Sequence, residues 1–174
     1  MANTTVEWRI IAVVAAGAAL AACAGGPRPA RGGYEANGTM RPYVVGGVTY
    51  RPAYQPRYDE TGIASWYGAQ SGYHATANGE RLDDRQATAA HRTLPLPCIV
   101  EVTNLENGRT ARLRVNDRGP FARNRILDVS RKGAEELGFK GVARVRVRYV
   151  GPAPSTRERA SAADLTTATL AEPG

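Results

Sequence analysis

Three short segments hold most of the polar side chains that packing does not explain. They are residues 76–80 (TANGE), 88–91 (TAAH) and 116–121 (NDRGPF). The groups in them that can move protons are the carboxyl groups of Glu80 and Asp117 and the imidazole of His91. Two carboxyl groups in one cleft suit general acid–base chemistry, because their surroundings can keep one protonated and the other ionised. These three side chains are therefore the candidate catalytic residues.

Each of the three also has a structural interpretation that the sequence leaves open. Asp117 precedes Arg-Gly-Pro, where an aspartate often stabilises a turn through its own side chain. Glu80 follows Asn-Gly and could be a solvated turn residue. His91 could orient or tune one of the carboxyl groups, or it could bridge two loops by hydrogen bonds.

Two further polar residues are predicted to have no catalytic role. Asp128, directly before Val129 and Ser130, is expected to fix a loop rather than to serve as a second acid. His74 is expected to be incidental. A zinc site formed by His74, His91 and nearby carboxylates would need ligand spacings that the sequence lacks. We therefore predict no metal and no cofactor.

The elements that must position these groups are short strands. The patterns predict strands at residues 62–67, 99–104, 110–116, 126–129 and 142–150. The second and third form a hairpin, because both alternate apolar and polar side chains around a Gly108 turn. Ser130 is predicted to cap a helix over residues 131–137 that ends at Gly138. About six short strands with one helix favour a closed or nearly closed barrel, which removes exposed strand edges.

Five motifs occur in one order along this region: the three segments above, residues 64–68 (ASWYG) and residues 125–130 (RILDVS). In that order they resemble the rare lipoprotein A family of septal-ring lytic transglycosylases, from Gly62 to about Val150. The resemblance implies a mainly β fold, a six-stranded double-psi β-barrel with one or two short helices and disordered termini. The domain boundaries are predicted at residues 62–151, with a tether and extension at 23–61 and a disordered tail at 152–174.

The resemblance also implies a reaction and residues for it. The bond cleaved would be the β-1,4 link after N-acetylmuramic acid in peptide-stripped glycan strands, and its C6 hydroxyl would attack to give a 1,6-anhydro end. The family's acid matches Asp117, its second carboxylate Glu80 and its site histidine His91. Substrate-binding residues are predicted at the following positions: Tyr67, Asn78, Asn116 and Arg118.

For three side chains in or beside these motifs, the sequence leaves alternative roles open. Arg118 lies beside Asp117, where it would either lower the pKa of that acid or point away to a sugar carboxylate. Trp66 and Tyr67 could stack on sugar rings or fill the barrel, and the core is favoured for Trp66.

The N-terminus predicts export and lipid anchoring. Arg9 precedes an apolar stretch from Ile10 to Ala22, which has the length of a signal-peptide core and is short of the ~20 residues that span a bilayer. It ends in Leu-Ala-Ala before Cys23, which resembles a lipobox, so residues 1–22 are a predicted signal peptide and Cys23 a lipidation site. Ala24 directly after the cysteine favours sorting to the outer membrane.

The charge of the chain limits which partners it could bind, and its cysteine content bears on whether it has a reactive thiol. The net charge is +7 and nearly all cations are arginine, which would suit nucleic acid, anionic lipid or acidic polysaccharide. The cations are scattered and lack aromatic interleaving, which argues against nucleic acid. The family resemblance implies peptidoglycan glycan strands as the partner, together with cell-division or wall-synthesis proteins. Cys98 lies in an apolar run and is predicted to be a buried thiol rather than a nucleophile.

Two rival functions remain open from the sequence. One is a non-catalytic lipoprotein that binds or scaffolds peptidoglycan. The other is a proteinase inhibitor or partner-binding barrel, which only fold analogy favours. Longer members of the resembled family commonly carry a peptidoglycan-binding SPOR domain that targets the septum. This chain stops 23 residues past Gly151, so septal targeting is not predicted.

Overall fold

The computed structural model describes residues 38–67 and 75–161. The predicted signal peptide, Cys23, His74 and the tail from residue 162 lie outside the described residues. A 3-10 turn at Gly38–Met40 begins the described chain. The strands are β1 Tyr43–Val45, β2 Val48–Tyr50, β3 Asp59–Trp66, β4 Thr88–Ala90, β5 Cys98–Asn104, β6 Thr110–Asp117, β7 Arg125–Val129 and β8 Val142–Pro152.

Strands β3 to β8 form a closed barrel in the order β3-β7-β4-β6-β5-β8. The pairs β3–β7 and β4–β6 are parallel, and the other pairs are antiparallel. Closure leaves none of these six strands with a free edge. The predicted fold class, mainly β with a six-stranded barrel, is confirmed.

Alternating side chains fill the barrel. In β5, Val100 and Val102 are fully buried, and Val145 and Val147 of β8 meet them from the neighbouring strand. The arginines between the β8 valines are exposed. This alternation gives the sheet one apolar face, which is the dominant source of its stability.

One helix, α1 at Arg131–Leu137, begins and ends as predicted. The Ser130 hydroxyl accepts a hydrogen bond from the Gly133 N–H, at 3.1 Å, which caps the helix N-terminus. Gly138 closes the C-terminus with a φ of 70° and donates to the carbonyls of Ala134 and Glu135. No helix in the described part of the chain is long and apolar enough to cross a membrane.

The structure differs from the sequence prediction at three places. The first barrel strand begins at Asp59 rather than Gly62, and the predicted strands did not include β4. The chain from Pro152, predicted to be disordered, continues β8 through that residue and then forms helical residues 156–161. The physical reason is that Thr156 and Arg159 of this segment contact Glu80. Composition alone does not reveal such contacts.

Candidate active site

The candidate site lies on the outer face of the barrel, over strands β4 and β6. Residues 75–81 form a loop whose ends are joined by an antiparallel bridge between Ala75 and Arg81. The loop is fastened to the end of β6, where the Asn78 N–H donates to the Asn116 carbonyl at 3.3 Å. Two of the three predicted segments, residues 76–80 and 116–121, therefore meet here.

Asp117 is half-buried at the point where this loop meets β6. Its Oδ1 accepts two hydrogen bonds of 2.8 Å, from the backbone N–H groups of Ala77 and Arg118. Both hydrogen bonds that the described residues make to this carboxyl group are on Oδ1. The other oxygen, Oδ2, accepts no hydrogen bond from the described residues, so it is the atom available for proton exchange with a ligand.

Glu80 is buried, with 6% of its surface exposed. Its carboxylate accepts hydrogen bonds from Nε and Nη2 of Arg114, from Asn116 Nδ2 at 2.9 Å and from the Thr156 hydroxyl at 3.0 Å. Arg159 adds an ion pair at 3.1 Å. Five contacts from four side chains make Glu80 the centre of a buried polar network.

This network decides the charge of Glu80. Burial by itself raises the pKa of a carboxyl group, but the hydrogen bonds from Arg114, Asn116 and Thr156 outweigh that effect and lower the pKa of Glu80 to about 2. A group ionised at every physiological pH cannot donate a proton. Glu80 instead anchors the loop that brings the Ala77 N–H to Asp117.

His91 is buried between structural partners. Its Nδ1 accepts hydrogen bonds from the backbone N–H groups of Thr93 and Leu94, at 3.1 and 2.9 Å. The ring proton is therefore on Nε2, which donates to the Tyr58 hydroxyl at 2.9 Å. Burial, together with the charges of Arg118 and Arg92, lowers the pKa of His91 to about 3. Its side chain makes none of its hydrogen bonds to Glu80 or Asp117.

Arg118 does not point toward the loop that holds Asp117. Its Nη1 donates to the carbonyls of His91 and Leu94, at 3.1 and 2.7 Å, and its Nη2 donates to the Thr39 carbonyl at 2.8 Å. The prediction that Arg118 binds substrate through this guanidinium is not supported, because these carbonyls already hold it. It fastens the N-terminal extension to the barrel, and its guanidinium also lies 5.9 Å from the ring centroid of Tyr43.

The other predicted binding residues have mixed surroundings. Tyr67 is half-buried, with its hydroxyl 3.4 Å from the Thr88 hydroxyl. Asn78 uses its side-chain oxygen within its own turn, accepting from the Thr76 hydroxyl at 2.7 Å and from the Glu80 N–H. Asn116 is 2% exposed, and its Oδ1 is buried with no hydrogen-bond partner among the described residues. The structure thus brings Asn78 and Asn116 into contact with Glu80 and places Tyr67 within electrostatic reach of Asp117, and only Tyr67 and Asn78 are partly accessible.

Thr156 and Arg159 are site residues that the sequence analysis missed. They come from the helical residues 156–161 and help to line a cavity of about 230 Å³ beside Glu80 and Asn116. The local sequence held no signal for them, because a Ser/Thr/Ala-rich segment with mixed charge is typical of a tail.

Two remaining predictions concern a thiol and a metal. Cys98 is fully buried, and burial raises the pKa of its thiol to about 12, so it is a core residue and not a nucleophile, as predicted. Among residues 38–67 and 75–161, no group of three or more His, Cys, Asp or Glu side chains could hold a metal ion.

A closed six-stranded barrel that holds Glu80 and Asp117 over strands β4 and β6 defines a small β-barrel domain with a candidate acid–base site. Residues 59–149 match the model of the family described as "Lytic transglycolase". The chain belongs to this family. The matched span includes β3 and nearly all of β8, together with all three predicted catalytic residues.

Curated relatives of known name agree with this assignment. The chain is 51% identical over 113 residues to the endolytic peptidoglycan transglycosylase RlpA of Rickettsia felis, covering 62% of this chain and 50% of that protein. It is 46% identical over 150 residues to the protein of the same name from Pseudomonas aeruginosa PAO1, covering 84% of this chain and 42% of that protein. The chain therefore spans half or less of the length of these relatives.

Two solved structures are also similar. One is the Streptomyces papain inhibitor, with a TM-score of 0.45 and 23% identity over 56% of this chain and 99% of that chain. The other is the apo expansin of Clavibacter michiganensis, with a TM-score of 0.43 and 20% identity over 56% of this chain and 53% of that chain.

Proposed function

We propose that this protein is a peptidoglycan lytic transglycosylase. It would cleave the β-1,4 bond between N-acetylmuramic acid and N-acetylglucosamine in glycan strands and leave a 1,6-anhydro end. The observation that carries the proposal is Asp117: a half-buried carboxyl group held through one oxygen by two backbone N–H groups, within the span that matches the family.

The chemistry requires proton transfer at two positions. The glycosidic oxygen must be protonated as its bond to C1 breaks, and the C6 hydroxyl must lose its proton as it attacks C1. Asp117 is the catalytic carboxyl group in this proposal, because its Oδ2 makes no hydrogen bond to the described residues. Glu80 is a positioning residue, since its ionised carboxylate holds the loop that orients Asp117.

The test is digestion of amidase-treated sacculi, whose strands lack stem peptides, by the full-length chain. We expect fragments with anhydro ends in mass spectra, and their loss in an Asp117→Asn variant. A matched control is Asp59→Asn, which changes an exposed carboxylate at the start of β3. Absence of anhydro fragments from the wild-type digest, or equal amounts from Asp117→Asn, would contradict the proposal.

A second candidate is a non-catalytic lipoprotein that binds peptidoglycan. The observation in its favour is that two of the three predicted catalytic groups, Glu80 and His91, are buried, with 6% and 4% of their surface exposed. This candidate predicts that sacculi retain the chain equally well with Asp117 or Asn at that position, and that no anhydro product forms.

We further propose that Cys23 carries the lipid and that the protein faces the periplasm from the outer membrane. Two or three acyl chains on one residue would supply stable anchoring, since each buried methylene contributes about 0.8 kcal/mol. Mass spectrometry of the N-terminal peptide of membrane-extracted protein tests this. A Cys23→Ser variant should appear in the soluble fraction, and an unmodified Cys23 in the membrane-bound wild type would contradict the proposal.

A further inference from the structure

Four residues lie side by side on four neighbouring strands. Ser65 of β3 pairs with Asp128 of β7, Asp128 pairs with Ala90 of β4, and Ala90 pairs with Asp117 of β6. Directly paired residues on adjacent strands have their side chains on the same face of the sheet. Two carboxyl groups are therefore placed on either side of one alanine.

The face on which they lie is the outer one. Leu127 and Val129, the residues on either side of Asp128, are fully buried in the barrel core. Ala89, which precedes Ala90, is in the same core. Because neighbouring residues of a strand point to opposite faces, Asp128 and Ala90 project outward.

The residues between the two carboxyl groups have small side chains. Two strand spacings of about 4.8 Å place the Cα atoms of Asp117 and Asp128 about 10 Å apart. Ala90 lies between them and is 4% exposed, and Gly119 packs close to it: a Cβ there would lie 3.8 Å from that of Ala90. In glycosidases that use two carboxyl groups, these groups lie about 5–5.5 Å apart in retaining enzymes and about 6.5–9.5 Å apart in inverting ones.

Tyr67 lies within electrostatic reach of both carboxylates. Burial, with smaller contributions from the charges of Asp117 and Asp128, outweighs the lowering effect of the Thr88 hydrogen bond and raises the pKa of its phenol to about 12. Its hydroxyl contacts Thr88, two residues before Ala90 and on the same face. The partly exposed aromatic ring thus lies on the same side of the barrel as the two carboxyl groups, where it is suited to pack against a sugar ring.

Asp128 is held in place from two sides. The Ser65 hydroxyl donates to its Oδ1 at 2.5 Å, and Arg125 Nη2 donates to its Oδ2 at 3.4 Å. Arg125 is in turn fixed through its carbonyl, which accepts from Arg92 Nη2 at 2.8 Å. Burial raises the pKa of Asp128, while Ser65, Arg125 and Arg92 lower it; the net direction is upward. Its side chain remains 16% exposed.

We propose that Asp128 is a second catalytic carboxyl group, which works across Ala90 from Asp117. This inference rests on the proposed transglycosylase function and replaces the expectation that Asp128 only fixes a loop. Asp128 in its acid form gives its proton to the glycosidic oxygen as the C1–O bond breaks. The C6 oxygen forms the new bond to C1, and its proton passes to the Asp117 carboxylate.

The proton count balances within one turnover. Asp128 ends as a carboxylate and Asp117 as an acid, and exchange with water restores both. The upward pKa of Asp128 supports its role as donor, because a neutral carboxyl group is the proton-donating form. Ser65 and Arg125 are positioning residues for it.

The test compares Asp128→Asn and Asp117→Asn in the full chain, by the rate of anhydro-fragment release from amidase-treated sacculi. Asparagine keeps the acceptor for Ser65 and removes the proton. We expect a loss of at least tenfold, and on the order of a hundredfold, since positioned acids contribute about 10²–10⁴. A loss of less than tenfold overturns the inference.

Ser65→Ala supplies a readout that does not depend on the folding of Asp128→Asn. The Ser65 hydrogen bond lowers the pKa of Asp128, so its removal raises that pKa. Activity that needs Asp128 protonated falls as pH rises through this pKa, and this falling limb should move to higher pH in Ser65→Ala. A limb that stays at the wild-type pH overturns the inference.

The outcomes also separate this inference from the proposed function. An inactive wild-type chain refutes both. An active wild type with inactive Asp117→Asn and active Asp128→Asn refutes only the role of Asp128. Arg131→Ala is the control, because this exposed helix residue pairs with Asp84 and contacts neither carboxyl group.

Discussion

The imidazole of His91 donates a hydrogen bond to the Tyr58 hydroxyl across 2.9 Å, and the two rings pack edge to face with centroids 4.9 Å apart. The Tyr58 hydroxyl in turn donates a hydrogen bond to the Glu60 carboxylate at 3.2 Å. The histidine thus ties the end of β4 to the start of β3. Protonation of His91 therefore affects the stability of the fold.

The first prediction concerns the pH dependence that His91 imposes. Its pKa is about 3 in the folded protein against 6.5 for a free histidine. The unfolded chain therefore binds a proton below pH 6.5 that the folded chain does not, and the contribution of His91 is lost as pH falls. We expect the free energy of unfolding to drop by about 1.4 kcal/mol per pH unit between pH 6 and 5. Urea unfolding at several pH values measures it.

The control for this prediction is His91→Gln. Glutamine does not titrate, so the variant should be less stable at pH 7 but should lose less stability between pH 7 and 5 than the wild type. The same slope in both proteins would show that His91 does not titrate as the structure requires.

The second prediction concerns Glu80 at lower pH. Its pKa is about 2 in the folded protein against 4.5 unperturbed. Its contribution to stability is therefore present above pH 4.5 and is lost as pH falls toward 2. The difference corresponds to roughly 3 kcal/mol. Wild-type stability relative to Glu80→Gln should therefore decrease between pH 5 and 3.

A surface pair offers a matched control for Glu80. Glu101 also accepts from an arginine, Arg148, but that pair lies on the exposed face of the barrel. Glu80→Gln leaves the buried Arg114 without its counter-charge, which for buried pairs costs about 3–5 kcal/mol. Glu101→Gln should cost far less, because exposed ion pairs contribute little. Equal losses from the two variants would mean that Glu80 is not a buried anchor.

The third prediction concerns the end of α1. Gly138 has a φ of 70°, and a Cβ there would lie 2.8 Å from the Arg109 side chain. Gly138→Ala should lower the free energy of unfolding by about 1 kcal/mol or more, because alanine disfavours this backbone conformation and Arg109 must also move. Gly151→Ala is the control: its φ is ordinary and a Cβ would meet nothing within 4 Å. Thermal denaturation of both variants measures the loss of stability, which should be larger for Gly138→Ala than for Gly151→Ala.

Local signals were sufficient for much of the fold. The Ser130 cap, the Gly138 terminus and the apolar alternation of β5, β6 and β8 are each encoded within a few neighbouring residues, so their positions follow from the sequence. Strand β4 was missed because Thr88–Ala90 is only three residues long, is buried throughout and has no polar alternation. Such a short strand is defined by its two neighbours in the barrel.

The candidate site was less predictable, because its contacts span long separations. The motif places Arg118 beside Asp117, but its guanidinium binds carbonyls 24, 27 and 79 residues away. Asp128 lies across Ala90 from Asp117 only because β4 is inserted between β6 and β7. Neither arrangement has a local sequence signal, whereas the pairing of residues 76–80 with 116–121 was suggested by the family motifs.

The last prediction concerns the helical residues 156–161, whose contact with Glu80 is equally non-local. The Thr156 hydroxyl donates to Glu80 Oε1 at 3.0 Å across 76 residues of chain. Thr156→Val keeps the shape of the side chain and removes this donor, and we expect it to cost about 1 kcal/mol. If the cost comes from this contact, it should nearly vanish in a Glu80→Ala background, which lacks the acceptor, giving a coupling energy of about 0.5–1 kcal/mol. Thr110→Val, which removes a hydroxyl from the exposed Thr103–Thr110 pair, should show no such coupling. Additive effects of Thr156→Val and Glu80→Ala would mean that the segment after β8 does not hold the carboxylate network.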